Sequence, residues 1–177
     1  MSASPRCSVF IATSVDGYIA RQDGGIDWLD RVQVAGEDYG FGAFWVTVDA
    51  LVIGRGTYDT ACGFAEWPYA GKQVVVMTHR PGTSRHGERY AAGTPAEVLA
   101  GTRATRVYVD GGNVIRQFVA AGLIDDVTIS VVPVVLGAGI RLFAGGEGEH
   151  AWALAGTQSW PSGLVQLRYR ASSRAFA

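Results

Sequence analysis

The chain alternates short apolar blocks with polar segments that are rich in glycine. Five of these blocks contain many β-branched residues, which predicts strands buried on both faces of a sheet. They read "CSVFIATS", "ALVIG", "KQVVVMT", "ATRVYVD" and "IDDVTISVV", and Pro133 follows the last of them. From Ala151 to Ser173 the tail alternates apolar and polar residues, which predicts a terminal antiparallel hairpin.

Helix signals separate the predicted strands. The segment Glu37–Asp49 places its apolar side chains at nearly helical spacing, although it contains two glycines. A short helical start follows in "RGTYDTACGF", and "NVIRQFVAAG" predicts a helix that stops at Gly122. Thr94 is typical of the N-cap of a helix that reaches about Gly101. Strands that alternate with helices predict a mainly parallel sheet with helices on both faces.

Length and composition favour one compact domain over residues 1–177, with 48% hydrophobic and 18% charged residues. Fifteen basic and sixteen acidic residues give a net charge of −1 without any basic run, so we expect no nucleic-acid partner. No apolar run approaches the length of a membrane span, and a soluble, cytoplasmic protein is expected. Cys7 and Cys62 lie far apart without metal-ligand spacing, which favours reduced thiols and no metal site.

Ligands of open parallel sheets bind beyond the carboxyl ends of the strands. The loops to examine therefore follow Thr13, Ile53, Met77 and Val109. Three of these exits carry residues suited to an anionic dinucleotide, in the segments "GRGTY", "THRP" and "DGGN". They offer a forked guanidinium, hydroxyls and backbone N–H groups at a helix start. Each signal alone is more often a plain turn or a solvated arginine, but their position at one edge of the sheet favours a common site.

The exit of the first strand has a different character. Asp16 and Asp23 each belong to a glycine-rich turn and are interpreted as turn formers. Asp27 stands beside Trp28, which could stack on a flat heterocycle while the carboxylate binds a ring nitrogen or positions a proton. A turn-forming role for Asp27 remains an equal alternative. Neither a GxSxG motif nor a suitably placed histidine indicates a hydrolase, whereas hydride transfer relies mainly on its cofactor.

The order of these segments resembles the dihydrofolate reductase superfamily over nearly the whole chain. It is most similar to the branch that includes the C-terminal reductase domain of the riboflavin biosynthesis protein RibD. The most specific part of the match is "GLIDDVTISVVPVVLGAG", followed by "RLF". The resemblance implies a three-layer α/β/α fold with a mostly parallel, eight-stranded sheet that binds NADPH across its carboxyl edge. Relatives of this branch are often dimers, which makes a homodimer possible.

The resemblance also assigns cofactor-binding positions around the phosphates, the adenosine phosphate and the nicotinamide. They are Ala12, Ile19, Ala20, Gly54, Arg55, Thr57, Thr78, Arg80, Gly111, Gly112, Asn113 and Val114. On the substrate side it assigns Trp28 and Ser130, and we add Asp27 as the third candidate catalytic residue. Asp110 stands where many relatives have another glycine, so its carboxylate must point away from the phosphates or weaken cofactor binding.

One departure from the family pattern concerns the substrate. Dihydrofolate reductases place an acid in the helix after the loop tryptophan, whereas the corresponding position here is near Gln33. We therefore expect an NADPH-dependent reductase of a small flat heterocycle, such as a pterin, a pyrimidinone or a riboflavin precursor. The alternative is a non-catalytic nucleotide-binding or interaction protein that has kept the fold.

Overall fold

The computed structural model describes residues 4–172, so Ser173 of the predicted hairpin lies outside the described residues. The main sheet has eight strands in the order β5-β4-β3-β6-β1-β7-β10-β9, and β2 pairs with β8 in a small second sheet. The strands are β1 Arg6–Ser14, β2 Tyr18–Ala20, β3 Ala50–Gly54, β4 Gln73–Met77, β5 Arg89–Ala91, β6 Arg106–Asp110, β7 Asp126–Val132, β8 Ile140–Arg141, β9 Trp152–Ser159 and β10 Val165–Ala171. The helices are α1 Phe41–Trp45, α2 Arg55–Ala61, α3 Pro95–Ala100 and α4 Gly112–Ala120, with a 3-10 helix at Asp27–Val32.

Parallel pairing dominates the sheet. The six strands from β5 to β7 run parallel, and β1 pairs with both β6 and β7. The tail forms the antiparallel hairpin β9–β10, which joins the sheet through β7. The predicted α/β class, eight-stranded sheet and terminal hairpin are therefore confirmed.

Two apolar clusters lie on opposite faces of the sheet. On one face, Val9, Val52 and Val109 pack against the apolar sides of α3 and α4. On the other, Leu51 and Ile53 pack with residues of α1 and α2. Since adjacent residues of a strand point to opposite faces, β3 has to be apolar throughout, as its sequence "ALVIG" is.

The helix predicted over Glu37–Asp49 is wrong in extent, because only Phe41–Trp45 is helical. The side chain of Asp38 accepts hydrogen bonds from the backbone N–H groups of Gly40 and Gly42, and Gly40 has φ +81°. An aspartate turn with a left-handed glycine thus delays the start of the helix. The predicted N-cap at Thr94 is confirmed, since Thr94 and Glu97 form a capping box.

The glycine-rich segment after β7 supports the small β2–β8 sheet. Asp16 accepts hydrogen bonds from the Ser14 hydroxyl at 2.6 Å and from the backbone N–H groups of Leu136 and Gly137. Gly139 has φ +152°, and a β-carbon there would overlap the carbonyl oxygen of Ala20. The turn formed by Asp16 is therefore also the link that holds β2 against β8.

Replacing Gly139 should destabilise the protein far more than replacing its neighbour Gly137. Gly137→Ala meets no atom within 4 Å and should cost about 1–2 kcal/mol, because only the left-handed backbone at φ +74° is strained. Gly139→Ala adds a steric overlap with Ala20 and should cost more than about 3 kcal/mol. Urea denaturation measures both values, and equal losses would contradict the close packing of β2 on this turn.

Candidate active site

The carboxyl ends of β1, β3, β4 and β6 surround one cavity of about 860 Å³. This volume is within the range of small-molecule sites in proteins. Of the predicted cofactor-binding residues, eleven line it: Ala12, Ile19, Ala20, Gly54, Arg55, Thr57, Thr78, Gly111, Gly112, Asn113 and Val114. The strand order thus brings the loops after β1, β3, β4 and β6 together at one edge of the sheet, as predicted from the sequence.

The paired glycines begin α4 at the edge of this cavity. Gly111 has φ +91° and precedes the helix, and no side chain caps the helix N-terminus. The first N–H groups of an α-helix have no partner within the helix, so those of Gly112 and Asn113 are free to bind an anion. A β-carbon at Gly111 would lie 2.5 Å from the Thr57 hydroxyl oxygen. The glycine is therefore required by packing as well as by its backbone conformation.

Arg55 lies at the start of α2, on the neighbouring strand exit. Its Nε donates to Asp59 at 2.8 Å, and its Nη1 donates to the backbone carbonyl of Arg80 at 3.2 Å. Arg55 and Asp59 both line the cavity, and about 44% of the arginine side chain is exposed. The remaining N–H groups of the guanidinium can therefore still reach a ligand.

The exit of β4 contributes Thr78 and His79 to the cavity. Arg80, the third predicted residue of this loop, is absent from the cavity lining and contacts Arg55 through its carbonyl oxygen. Its predicted contact with the adenosine phosphate stays a prediction. The sequence did not indicate a role for His79, because a single histidine in a loop is not typical of any site until the fold shows that it lines a cavity.

Asp110 ends β6 inside the cavity, although the sequence distinguishes it only as an exception to the glycine pattern. Its Oδ1 accepts a hydrogen bond from the backbone N–H of Gly111 at 2.8 Å. Burial raises the pKa of the Asp110 carboxyl to about 6, against the smaller opposing effects of hydrogen bonds from Gly111 and Tyr108. The cavity thus contains an acid that can be protonated or ionised near neutral pH.

An aromatic wall surrounds this carboxyl. Phe10, Tyr69 and Tyr108 line the same cavity, and the Tyr108 hydroxyl donates to the carbonyl of Phe10 at 2.8 Å. Phe10 in turn contacts Phe44 of α1, with their ring centroids 5.1 Å apart. Because side chains alternate between the two faces of a strand, the sequence could have predicted that Tyr108 and Asp110 share one face of β6. Nothing in the sequence predicted that Tyr69 lies beside them.

The three candidate catalytic residues lie elsewhere. Trp28 is 2% exposed in a core cluster with Val132 and Leu164, and within residues 4–172 its indole N–H has no hydrogen-bond partner. The side chain of Asp27 is 65% exposed and paired with Arg21 at 2.6 Å. Neither residue lines this cavity, and their catalytic roles stay predictions.

Ser130 also lies away from the cavity. It is buried on β7, and its hydroxyl oxygen accepts a hydrogen bond from Gln166 of β10 at 3.0 Å. That Ser130 faces the substrate stays a prediction. A sequence cannot show its hydrogen bond to Gln166, since that bond depends on the register of β10 beside β7.

Other site types find no support in the described part of the chain. Residues 4–172 contain no cluster of three or more His, Cys, Asp or Glu side chains that could hold a metal ion. In the same range, no helix is long and apolar enough to cross a membrane. Cys7 and Cys62 are free thiols, and burial raises the pKa of Cys7 to about 12, which makes this thiol unreactive.

The strand order and the edge cavity define a dihydrofolate reductase-like α/β protein. The chain belongs to the RibD C-terminal domain family, whose model matches residues 5–166. It is 35% identical over 167 residues to the uncharacterized protein YwjB of Bacillus subtilis (strain 168), covering 91% of this chain and 95% of YwjB. It is 25% identical over 175 residues to the uncharacterized protein YyaP of the same strain, covering 90% and 91%.

Solved structures show the same fold. A putative riboflavin biosynthesis protein from Shewanella sp. PV-4 matches with a TM-score of 0.86 and 33% identity, over 95% of this chain and 99% of that one. Dihydrofolate reductase from Enterococcus faecalis, complexed with NADP(H) and RAB-propyl, matches with a TM-score of 0.69 and 15% identity, over 96% and 98%. A pyrimidine reductase-like protein from Corynebacterium diphtheriae matches with a TM-score of 0.63 and 16% identity, over 96% and 92%. At these identities the last two show the fold alone.

The raised pKa of Asp110 predicts a pH-dependent difference in stability between the wild type and Asp110→Asn. Because the folded state holds this proton more tightly than the unfolded state, the wild type should lose stability as the pH rises from about 4 to 6. The neutral variant lacks this loss, so its advantage should grow by on the order of 1–3 kcal/mol across that window. Urea denaturation at pH 4, 5, 6 and 7 measures it, and a constant difference would show that Asp110 is not perturbed.

Proposed function

We propose that this chain is an NADPH-dependent reductase that transfers hydride to a C=N or C=O bond of a small, flat heterocycle. One observation carries the proposal. A single cavity joins an uncapped helix N-terminus, suited to phosphates, with a partly buried carboxyl on an aromatic wall, suited to a polar ring. Membership of the RibD C-terminal domain family, and the dihydrofolate reductase-like fold, support the reductase class.

The residues present fit a phosphorylated dinucleotide. The glycine turn and the free N–H groups at the start of α4 would bind the pyrophosphate, with Arg55 and Thr57 beside it. Gly56 also lines the cavity, and a β-carbon there would meet no atom within 4 Å, so this position leaves room for a ligand. Ala12, Ile19 and Ala20 form a small apolar surface for the nicotinamide ring.

The substrate half of the cavity is proposed to lie at the aromatic wall. Phe10, Tyr69 and Tyr108 offer ring faces to a planar heterocycle and exclude water from it. The Asp110 carboxylate can accept an N–H of such a ring, whereas the protonated carboxyl can donate a proton to a ring nitrogen or carbonyl oxygen. A pterin, a pyrimidinone or a riboflavin precursor presents these groups. Similarity to the putative riboflavin biosynthesis protein of Shewanella sp. PV-4 supports a riboflavin precursor.

Bound NADPH supplies the hydride in this proposal. The protein's part is to hold both rings in contact, to keep water out and to deliver the proton from Asp110. A carboxyl with a pKa of about 6 is suited to this role, because acid catalysis is most effective when the pKa lies near the working pH. We therefore place Asp110, rather than Asp27 or Ser130, at the reacting atoms.

Removing the guanidinium of Arg55 should weaken NADPH binding. Loss of a charge-assisted hydrogen bond to a phosphate costs about 1.5–3 kcal/mol, so Arg55→Ala should raise the dissociation constant roughly tenfold or more. The matched control is Arg103→Ala, which removes the same charge from an exposed position outside the cavity. Titration of tryptophan fluorescence with NADPH measures both. Absence of binding to the wild type at millimolar NADPH would overturn the cofactor assignment.

Turnover should depend on the protonation of Asp110. With NADPH and a panel of pterins and pyrimidinones, the wild-type kcat/KM should fall as the pH rises through about 6, because the acid form of Asp110 is lost. Asp110→Asn should reduce kcat by about a hundredfold and abolish this pH dependence. NADPH oxidation at 340 nm provides the measurement. Tight NADPH binding without turnover of any compound would instead favour the non-catalytic nucleotide-binding alternative.

A further inference from the structure

The loop between β4 and β5 is organised by a buried carboxylate outside the cavity lining. Glu88 is 5% exposed and accepts hydrogen bonds from the hydroxyls of Tyr58 at 2.7 Å and Tyr90 at 3.2 Å. It also accepts from the backbone N–H groups of Arg85 at 3.0 Å and His86 at 2.8 Å. Both carboxylate oxygens are therefore bound, and the end of the loop is fixed to the protein core.

The same loop is fixed at its beginning by the helix that carries Tyr58. Arg55 of α2 holds the Arg80 carbonyl, and Tyr58 of α2 holds Glu88. The ring of His86 stacks on Trp67, with centroids 4.1 Å apart and planes 8° from parallel. Residues of α2, together with Trp67, thus hold the loop 78–88 at Arg80, His86 and Glu88. Its first members, Thr78 and His79, line the cavity.

The charged residues of the loop 78–88 indicate the kind of ligand that it can bind. Residues 78–88 read "THRPGTSRHGE", with Arg80 and Arg85 as cations and Glu88 as the only acid. Because Glu88 is turned inward and bound by four donors, its negative charge does not face the solvent beside Arg80 and Arg85. The exposed charged side chains of the loop, Arg80 and Arg85, are therefore both cationic, and its first residues, Thr78 and His79, line the cavity. Such a loop suits a phosphate monoester.

Glu88 keeps its charge over the working range of pH. Burial alone would raise the pKa of Glu88, but the hydrogen bonds from Tyr58, His86 and Arg85 outweigh burial and lower the pKa to about 2. Four donors aimed at one carboxylate require an acceptor at both oxygens. A glutamine at this position would turn an amide N–H towards a backbone N–H or a hydroxyl, and the loop would have to move.

We propose that Glu88 is a positioning residue that fixes the loop 78–88 and thereby gives the cavity its preference for a 2′-phosphorylated over an unphosphorylated nicotinamide dinucleotide. The inference rests on the proposed function, since it concerns the cofactor of that same cavity. Glu88 itself does not line the cavity. It acts through the placement of Thr78, His79 and Arg80, which follow β4 where the added phosphate would bind.

The test compares the affinities of NADPH and NADH in matched variants. Glu88→Gln should raise the dissociation constant of NADPH roughly tenfold and that of NADH less than about twofold, because only NADPH carries the group that the loop binds. Tyr58→Phe removes one donor to Glu88 and keeps the aromatic ring, so it should lower the preference in the same direction by roughly threefold.

The control is Glu147→Gln. Glu147 likewise organises a loop, by accepting the backbone N–H groups of Ala144 and Gly145, each at 3.0 Å, and it does not line the cavity. This variant should leave the ratio of the two affinities unchanged. Fluorescence titration gives the affinities, and circular dichroism shows that each variant is folded. Should Glu88→Gln fail to fold, the ratio in Tyr58→Phe decides the question.

The outcomes separate the two proposals. A wild type that prefers NADPH, with an unchanged preference in folded Glu88→Gln and Tyr58→Phe, overturns the role of Glu88 and leaves the proposed function intact. A wild type that binds neither dinucleotide overturns the proposed function and this inference with it. A loss of preference confined to the Glu88 and Tyr58 variants supports the positioning role.

Discussion

Parallel pairing of strands that are buried on both faces is the constraint from which the site follows. Because β4, β3, β6 and β1 run in one direction, their following loops must emerge at the same edge, although these loops are up to about a hundred residues apart in the chain. The apolar character of "ALVIG" and "KQVVVM" leaves these strands no stable position except between two helical layers. The cavity lies at the carboxyl ends of these strands, between the loops that lead to the two helical layers.

Two carboxyl groups of this fold, those of Asp110 and Glu88, have pKa values that are shifted in opposite directions. Asp110 is partly buried with few donors, so burial raises its pKa towards neutrality. Glu88 is buried with four donors, so hydrogen bonds lower its pKa and make it a permanent anchor. The first environment suits a group that exchanges a proton, and the second suits a group that holds backbone in place. Asp110 adjoins the glycine turn at the cavity, and Glu88 ends the loop that begins at Thr78.

Much of the fold could be predicted from the sequence, and so could the strand exits that surround the cavity. The strands followed from blocks of β-branched residues, and the glycine turn before α4 followed from its place between a strand and a helix. The helix near Phe41 was overestimated, because spacing does not reveal that Asp38 forms a turn that delays it. The surroundings of Trp28 and Ser130 could not be predicted, because they depend on long-range packing and on the register of the terminal hairpin. The same dependence hid Tyr69 and Glu88.

A crystal structure with NADP⁺ and a pyrimidinone or pterin tests the central claim most directly. The account predicts the pyrophosphate on the N–H groups of Gly112 and Asn113, the nicotinamide beside Ala12 and Ile19, and the heterocycle within hydrogen-bonding distance of Asp110. A dinucleotide bound away from the start of α4, or a heterocycle bound away from Asp110, would contradict it.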